Sequence, residues 1–190
     1  MHRHLAISLA VALGVAAPVV SQDSASKDKS LDVRSSVGDL HVGKDADAKK
    51  VGLPLYPGAR LKSSGEDQDQ DQANLSILTE SFGMKLVVAN YVSDDGPGKL
   101  LDFYRDKLKK YGKVLECRSS KLGDVSAHDD DKDSNKSKEL KCDDNSGPVT
   151  ELKVGTEDNQ HIVAVEPGEG SKGSKFALIY LHTRGQQGDI

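Results

Sequence analysis

Apolar and polar positions change their period several times along the chain. Residues 5–20 form an apolar run broken only by Ser8, Gly14 and Pro18. Residues 22–50 are rich in Ser, Asp and Lys and hold little to bury beyond Leu31, Val33, Val37, Leu40 and Val42. That stretch predicts a flexible polar linker with room for one short strand. From Val51 the pattern changes. In Gly52-Leu53-Pro54-Leu55-Tyr56-Pro57-Gly58-Ala59, Pro and Gly hold the two central positions of a turn. Pro fixes φ and Gly accepts a positive φ, the signature of type II. A domain over residues 51–185 is expected to begin here, with 186–190 as a disordered tail.

Residues 74–80 alternate, Leu75, Ile77 and Thr79 against Ser76, Leu78 and Glu80, and Gly83 turns the chain into a second run at 84–92. That run is apolar on both faces, as an interior strand requires. Ser93-Asp94-Asp95-Gly96-Pro97 then combines capping residues with a helix-starting Pro, and Leu100, Leu101, Tyr104, Leu108 and Tyr111 follow at helical spacing. One amphipathic helix is predicted, with Asp94 and Asp95 at its positive end, Lys107, Lys109 and Lys110 at its negative end, and Gly112 as its stop. Further strands are expected at 113–117, 139–142, 150–155, 160–166 and 175–183, with a polar loop at 124–137. The fold class is therefore α+β: an antiparallel sheet with one main helix packed on one face.

Composition narrows the function classes. The 190 residues are 36% hydrophobic and 29% charged, contain no Trp and carry a net charge of −4. A membrane-embedded protein is excluded, and a strongly basic nucleic-acid binder is not expected. The first run is too short and too rich in small residues for a comfortable span, so residues 1–21 read as a secretory signal peptide. Cleavage is placed between Ser21 and Gln22, leaving no membrane span in a periplasmic or extracellular product. In that compartment Cys117 and Cys142, an even pair, are expected to form a disulfide. No C-x-x-C motif and no nearby His supports a redox or metal pair.

Candidate chemistry is sparse. Residues 124–144 hold eight carboxylates against four lysines. Asp129, Asp131 and Asp133, followed by Asn135, open like the ligand series of a Ca²⁺ loop, but the sixth position is Ser134 and the twelfth Leu140, where Gly and Glu belong. A solvated loop is the plainer reading. Gly168-Glu169-Gly170-Ser171-Lys172-Gly173 matches a dinucleotide fingerprint, but a strand follows it where a helix is needed, so it reads as a hairpin loop. Outside the leader stand His41, His128, His161 and His182, none four residues from another. His161 and His182 fall on the two strands of the last hairpin, where a metal or acid–base pair is conceivable. No Ser occupies a nucleophile elbow. Asn74-Leu75-Ser76 and Asn135-Lys136-Ser137 fit the N-glycosylation pattern.

The turn Leu53-Pro54-Leu55-Tyr56-Pro57-Gly58-Ala59, with Tyr91-Val92-Ser93-Asp94-Asp95-Gly96-Pro97, Leu101-Asp102-Phe103-Tyr104-Arg105 and Tyr111-Gly112, resembles a group of uncharacterised exported bacterial proteins. Those share a "YPGA" turn and a "D-x-P…FYR..L…G" helix. The resemblance spans residues 51–115 and implies a bacterial source and an α+β domain, with no activity, cofactor or site residue attached. The expected function is a non-catalytic exported domain binding a small ligand or an envelope protein, with no nucleic acid as partner. A Ca²⁺-responsive module using residues 124–144 is the alternative, and a hydrolase using His161 or His182 a weaker one.

Overall fold

The computed structural model describes residues 30–62, 72–123, 139–142 and 145–185. In chain order the elements are β1 (Leu31–Ser35), β2 (Gly38–Gly43), α1 (Ala48–Val51), β3 (Arg60–Leu61), β4 (Gln72–Leu78) and β5 (Gly83–Ser93). There follow α2 (Pro97–Leu108) with a closing 3-10 turn at Lys109–Tyr111, β6 (Leu115–Ser119), β7 (Val149–Thr156), β8 (Asn159–Pro167) and β9 (Ser174–Arg184). The strands form one sheet in the order β1-β2-β4-β5-β9-β8-β7-β6, with β3 paired to β5. Every pairing is antiparallel.

This order places α2. The chain leaves β5 in the middle of the sheet and re-enters at its far edge as β6, then returns through β7, β8 and β9 to pair with β5. The connection must pass over the strands between, and α2 lies in it, packed on β7 and β8. Leu100, Tyr104 and Leu108, four residues apart, are fully buried. They meet Val87, Ala89 and Tyr91 of β5, Leu152 and Val154 of β7, Val163 and Val165 of β8, and Phe176 and Leu178 of β9. On the opposite face Val149, Ile162, Ala164, Ala177 and Ile179 make a second cluster with Leu86, Val88 and Leu122. Burial on both faces explains the unbroken apolar runs of the central strands.

Of the 22–50 stretch, expected to be a linker with one short strand, the described residues supply two strands, β1 and β2, and the start of α1. All of β1 is exposed, so its strand character comes from backbone pairing with β2, from Leu31 opposite Val42 to Ser35 opposite Gly38. α1 is set by its ends: the Asp47 carboxylate accepts from the Lys50 N–H at 2.7 Å, and Gly52 closes it in the left-handed region. The strand expected at 139–142 reduces to one bridge, Glu139 to Thr156. Cys117 of β6 and Cys142 are bonded, with Cα atoms 5.4 Å apart. The Gly-rich 168–173 segment joins β8 to β9 as a hairpin loop, Gly168 N–H donating to Gly173 C=O at 3.1 Å.

The residues that carry the family resemblance have structural work. Gly58, at φ +76°, is third in a turn closed by the Ala59 N–H on the Tyr56 carbonyl at 3.0 Å, the type II turn expected. That turn docks on the helix start. Tyr56 donates its N–H to the Tyr104 hydroxyl (3.1 Å) and its own hydroxyl to Asp95 (2.8 Å), while Arg60 grips Asp94 with two bonds of 3.0 and 2.8 Å. Asp94 and Asp95 therefore do not cap α2. Gly96 is the N-cap without a side-chain bond, and Pro97 starts the helix.

Candidate functional site

Among the described residues α2 makes its main contacts with β7 and β8, away from β1, β2 and β4 on the same side of the sheet. Successive side chains alternate between faces, so residues two positions from Val87, Val163 and Phe176 along each strand share the helix side. The register then assembles a row. Asp32 lies opposite His41, His41 opposite Ser76, Ser76 opposite Lys85, Lys85 opposite His182, and His182 opposite Asn159. Six polar side chains thus cross six strands in one line, at about 4.8 Å per strand.

At the β1 end the row is tightly bonded. His41 Nδ1 is 2.7 Å from Asp32 Oδ1, and its Nε2 is 3.6 Å from Asp45 Oδ1 and 3.4 Å from Asn74 Nδ2. Asn74 also donates to Asp45 at 3.1 Å, and Lys50 completes an ion pair with Asp45. The hydrogen bond to Asp32 raises the His41 pKa above its ordinary value, with Asp45 adding to it. The Lys50 ammonium holds Asp45 down to about 2, against a smaller opposing effect of burial. Gly43 makes the approach feasible, because a Cβ there would stand 2.7 Å from Asp45 Oδ1 and 3.0 Å from His41 Nε2. The two carboxylates hold opposite nitrogens of the ring, so the arrangement is a string of hydrogen bonds and not a chelate. Asn74, a glycosylation candidate by sequence, spends its amide here and is 9% exposed.

Ser76 stands opposite His41, and no hydrogen bond links them. The Nε2 that would take the Ser76 proton faces Asn74 and Asp45 instead, so the Asp32–His41 pair does not activate that hydroxyl.

The histidines of the last hairpin share the helix side but do not meet. His161 lies opposite Tyr180, and the rings form a ladder: Tyr111 to His161 at 4.0 Å, His161 to Tyr180 at 4.9 Å, Tyr180 to His182 at 6.4 Å between centroids. Tyr111 donates to the Gly52 carbonyl at 2.6 Å, tying this ladder to the end of α1. Burial lowers the His161 pKa. Nδ1 of both His161 and His182 is buried without a hydrogen-bond partner. Among the described residues no group of three or more His, Cys, Asp or Glu is arranged to hold a metal ion. Asp129, Asp131, Asp133 and His128, like Ser21 and Gln22, lie outside the described residues.

Beside the row, where β4, β5 and β9 end together, Ser76, Leu78, Lys85, His182 and Arg184 line a shallow depression of about 90 Å³. Its floor is Gly83, opposite Arg184 in the register. A Cβ at 83 would lie 2.6 Å from Arg184 Nε and 2.8 Å from its Cγ, so glycine lets the arginine lie across the strand. Lys85 Nζ sits 5.8 Å from the Tyr180 ring centroid.

Comparison with family models, with curated proteins and with solved structures returned no match. The row and the depression therefore have to be read from their own chemistry. Sequence periodicity missed Asp32, Asp45, Ser76, Lys85 and Arg184, which become neighbours only through strand order. The available signal was Lys85, a charge on the helix side of a strand whose next residues on that side are Val87, Ala89 and Tyr91. Among the described residues no helix is long and apolar enough to cross a membrane.

Proposed function

We propose that the chain is an exported, non-catalytic domain that binds a small ligand on the helix side of its sheet. The observation carrying this reading is the row from Asp32 to Asn159. Its spacing is held by backbone register and not by loops, which is how a rigid binding surface is built. Its members differ in charge and donor capacity, so they suit a ligand with several polar groups. The apolar N-terminal run and the Cys117–Cys142 bond support export, since structural disulfides persist in oxidising compartments. The sequence resemblance supports a bacterial envelope setting, periplasmic or extracellular.

Thermal unfolding of the purified chain in the separate presence of cell-wall saccharides, nucleotides, fatty acids and Ca²⁺ tests the reading. A ligand at a hundredfold over its Kd adds about 2.7 kcal/mol, a midpoint rise of about 5–10 °C at this size. The expected result is a rise with an organic ligand that His41→Ala or Ser76→Val reduces. A flat panel, or a rise indifferent to both substitutions, overturns it. Sequencing the N-terminus of the protein recovered from an exporting host tests the cut before Gln22.

A further inference from the structure

We infer that β1 pairs with β1 of a second copy of this chain, antiparallel and centred on Val33, so that two sheets join edge to edge through Asp32–Arg34 ion pairs. The contact goes beyond the ligand-binding reading and does not depend on it.

The first observation is an open edge. β1 ends the strand order, all of its residues are exposed, and among the described residues no strand pairs with its outer side. A free edge accepts another strand unless Pro, a bulge or a covering segment blocks it. β1 contains no Pro and pairs with β2 residue for residue, without a bulge. The opposite edge of the sheet is closed: Arg118 of β6 donates its N–H to the Asn145 side chain at 2.9 Å, and Cys142 is bonded to Cys117.

The second is the direction of the backbone groups. Ser35 and Gly38 flank a two-residue turn, so they form a hydrogen-bonded pair, and Val33 with Leu40 and Leu31 with Val42 are bonded likewise. In an antiparallel ladder the residues between such pairs bond to the other side. The N–H and C=O of Asp32 and Arg34 therefore point to the open edge. An antiparallel partner has to meet them with outward residues of its own, so the register can slip only in steps of two.

Charge then selects among the registers. A two-fold axis at Asp32 sets Asp32 on Asp32 of the second copy, and an axis at Arg34 sets Arg34 on Arg34. Like charges directly opposite destabilise a strand pair. An axis at Val33 sets Asp32 on Arg34 of the second copy and, by the symmetry of the pair, Arg34 on its Asp32. Both opposite-charge pairs then coincide with hydrogen-bonded backbone pairs. The Asp32 side chain is 61% exposed, and its contact with His41 uses Oδ1 alone. On the face away from α2 the same register brings Val33, 45% exposed, against Val33 of the second copy. Val33 lies opposite Leu40, Leu40 opposite Ile77 and Ile77 opposite Met84, so the apolar row of one sheet runs into that of the other. One short strand per copy buries less than the roughly 1,600 Å² of a standard interface, so the dimer belongs with the weak, concentration-dependent contacts.

Sedimentation velocity on the purified chain from about 1 μM to about 1 mM, the range of weak association, tests the pairing. A reversible monomer–dimer equilibrium is expected. Arg34→Asp and Asp32→Arg should each weaken it about tenfold or more. An equimolar mixture of the two variants restores both opposite-charge pairs and should recover the dimer. Val33→Cys tests the register without altering either charge. At the two-fold axis the two Cα atoms stand about 4.5 Å apart, within disulfide reach, so oxidised glutathione should give a covalent dimer. Leu31→Cys, opposite Ser35 of the second copy, should not. A chain that stays monomeric up to about 1 mM, a dimer indifferent to both charge substitutions, a mixture that fails to recover it, or equal cross-linking at 31 and 33 would overturn the inference.

Discussion

Tyr104→Phe removes one oxygen from the best-buried aromatic of the helix. Tyr104 is fully buried, and its ring keeps its neighbours in the variant, Phe103 at 5.0 Å and Phe176 at 5.8 Å, so no cavity opens. Burial pushes the phenol pKa up, so the group is neutral throughout the physiological range. What is lost is the acceptor for the Tyr56 N–H, 3.1 Å away in a residue only 9% exposed. A buried donor left without a partner costs about 1–3 kcal/mol, which at this chain length lowers Tm by roughly 2–4 °C per kcal/mol. Tyr56→Phe removes the other bond of the same latch, but its partner Asp95 stands at the surface and also holds Lys99, so water replaces the lost contact and the effect is smaller. Urea unfolding of both variants, followed by circular dichroism, measures the difference. If Tyr104→Phe lies within about 0.5 kcal/mol of the native chain, or costs less than Tyr56→Phe, the turn is not held on the helix by the buried bond.

Other outcomes follow from the same structure. Replacing both Cys117 and Cys142 by Ser opens a loop of separation 25 and should cost about 3.5 kcal/mol by chain entropy, read from the urea midpoint. Asp45, held down to about 2 from 3.8, adds stability that is complete above pH 3.8 and fades as pH falls toward 2. The shift corresponds to about 2.5 kcal/mol, which solvent screening of a side chain 38% exposed reduces to about 1 kcal/mol, so Asp45→Asn should flatten acid unfolding in that window. His41 has the opposite sign: its pKa is raised, so its contribution is complete below 6.5 and is lost as pH rises through its folded value. Asp32→Asn should remove most of that dependence, and an NMR titration of the His41 ring should show a lower midpoint in the variant. Leu108→Ala, at a fully buried position on α2, should cost about 2–5 kcal/mol in urea.

What could be read from the chain, and what could not, divides along one physical line. Elements that bury apolar surface declare themselves, because burial imposes a period. The β5 run, the β7–β9 meander and the 100-104-108 face of α2 are all of this kind. β1 has no buried residue and is held by backbone bonds that every sequence can make, so no period marks it. The same limit governs the site. The spacing put His161 and His182 on one hairpin, but only the register sets Tyr180 opposite His161 and Asn159 opposite His182. The Asp32–His41 contact needs only the first hairpin, whereas reaching Lys85 and His182 needs the order β2-β4-β5-β9, which hydrophobic patterning leaves open because several antiparallel orders bury the same faces. Yet that order has a consequence beyond the strands. Once β6 sits at the far edge, the α2 connection is committed to β7, β8 and β9, and the helix side of β1, β2 and β4 is left for polar residues. Lys85, on a strand whose next residues on that side are Val87, Ala89 and Tyr91, and Gly83 beneath Arg184 lie at that boundary, where the cover of the helix ends.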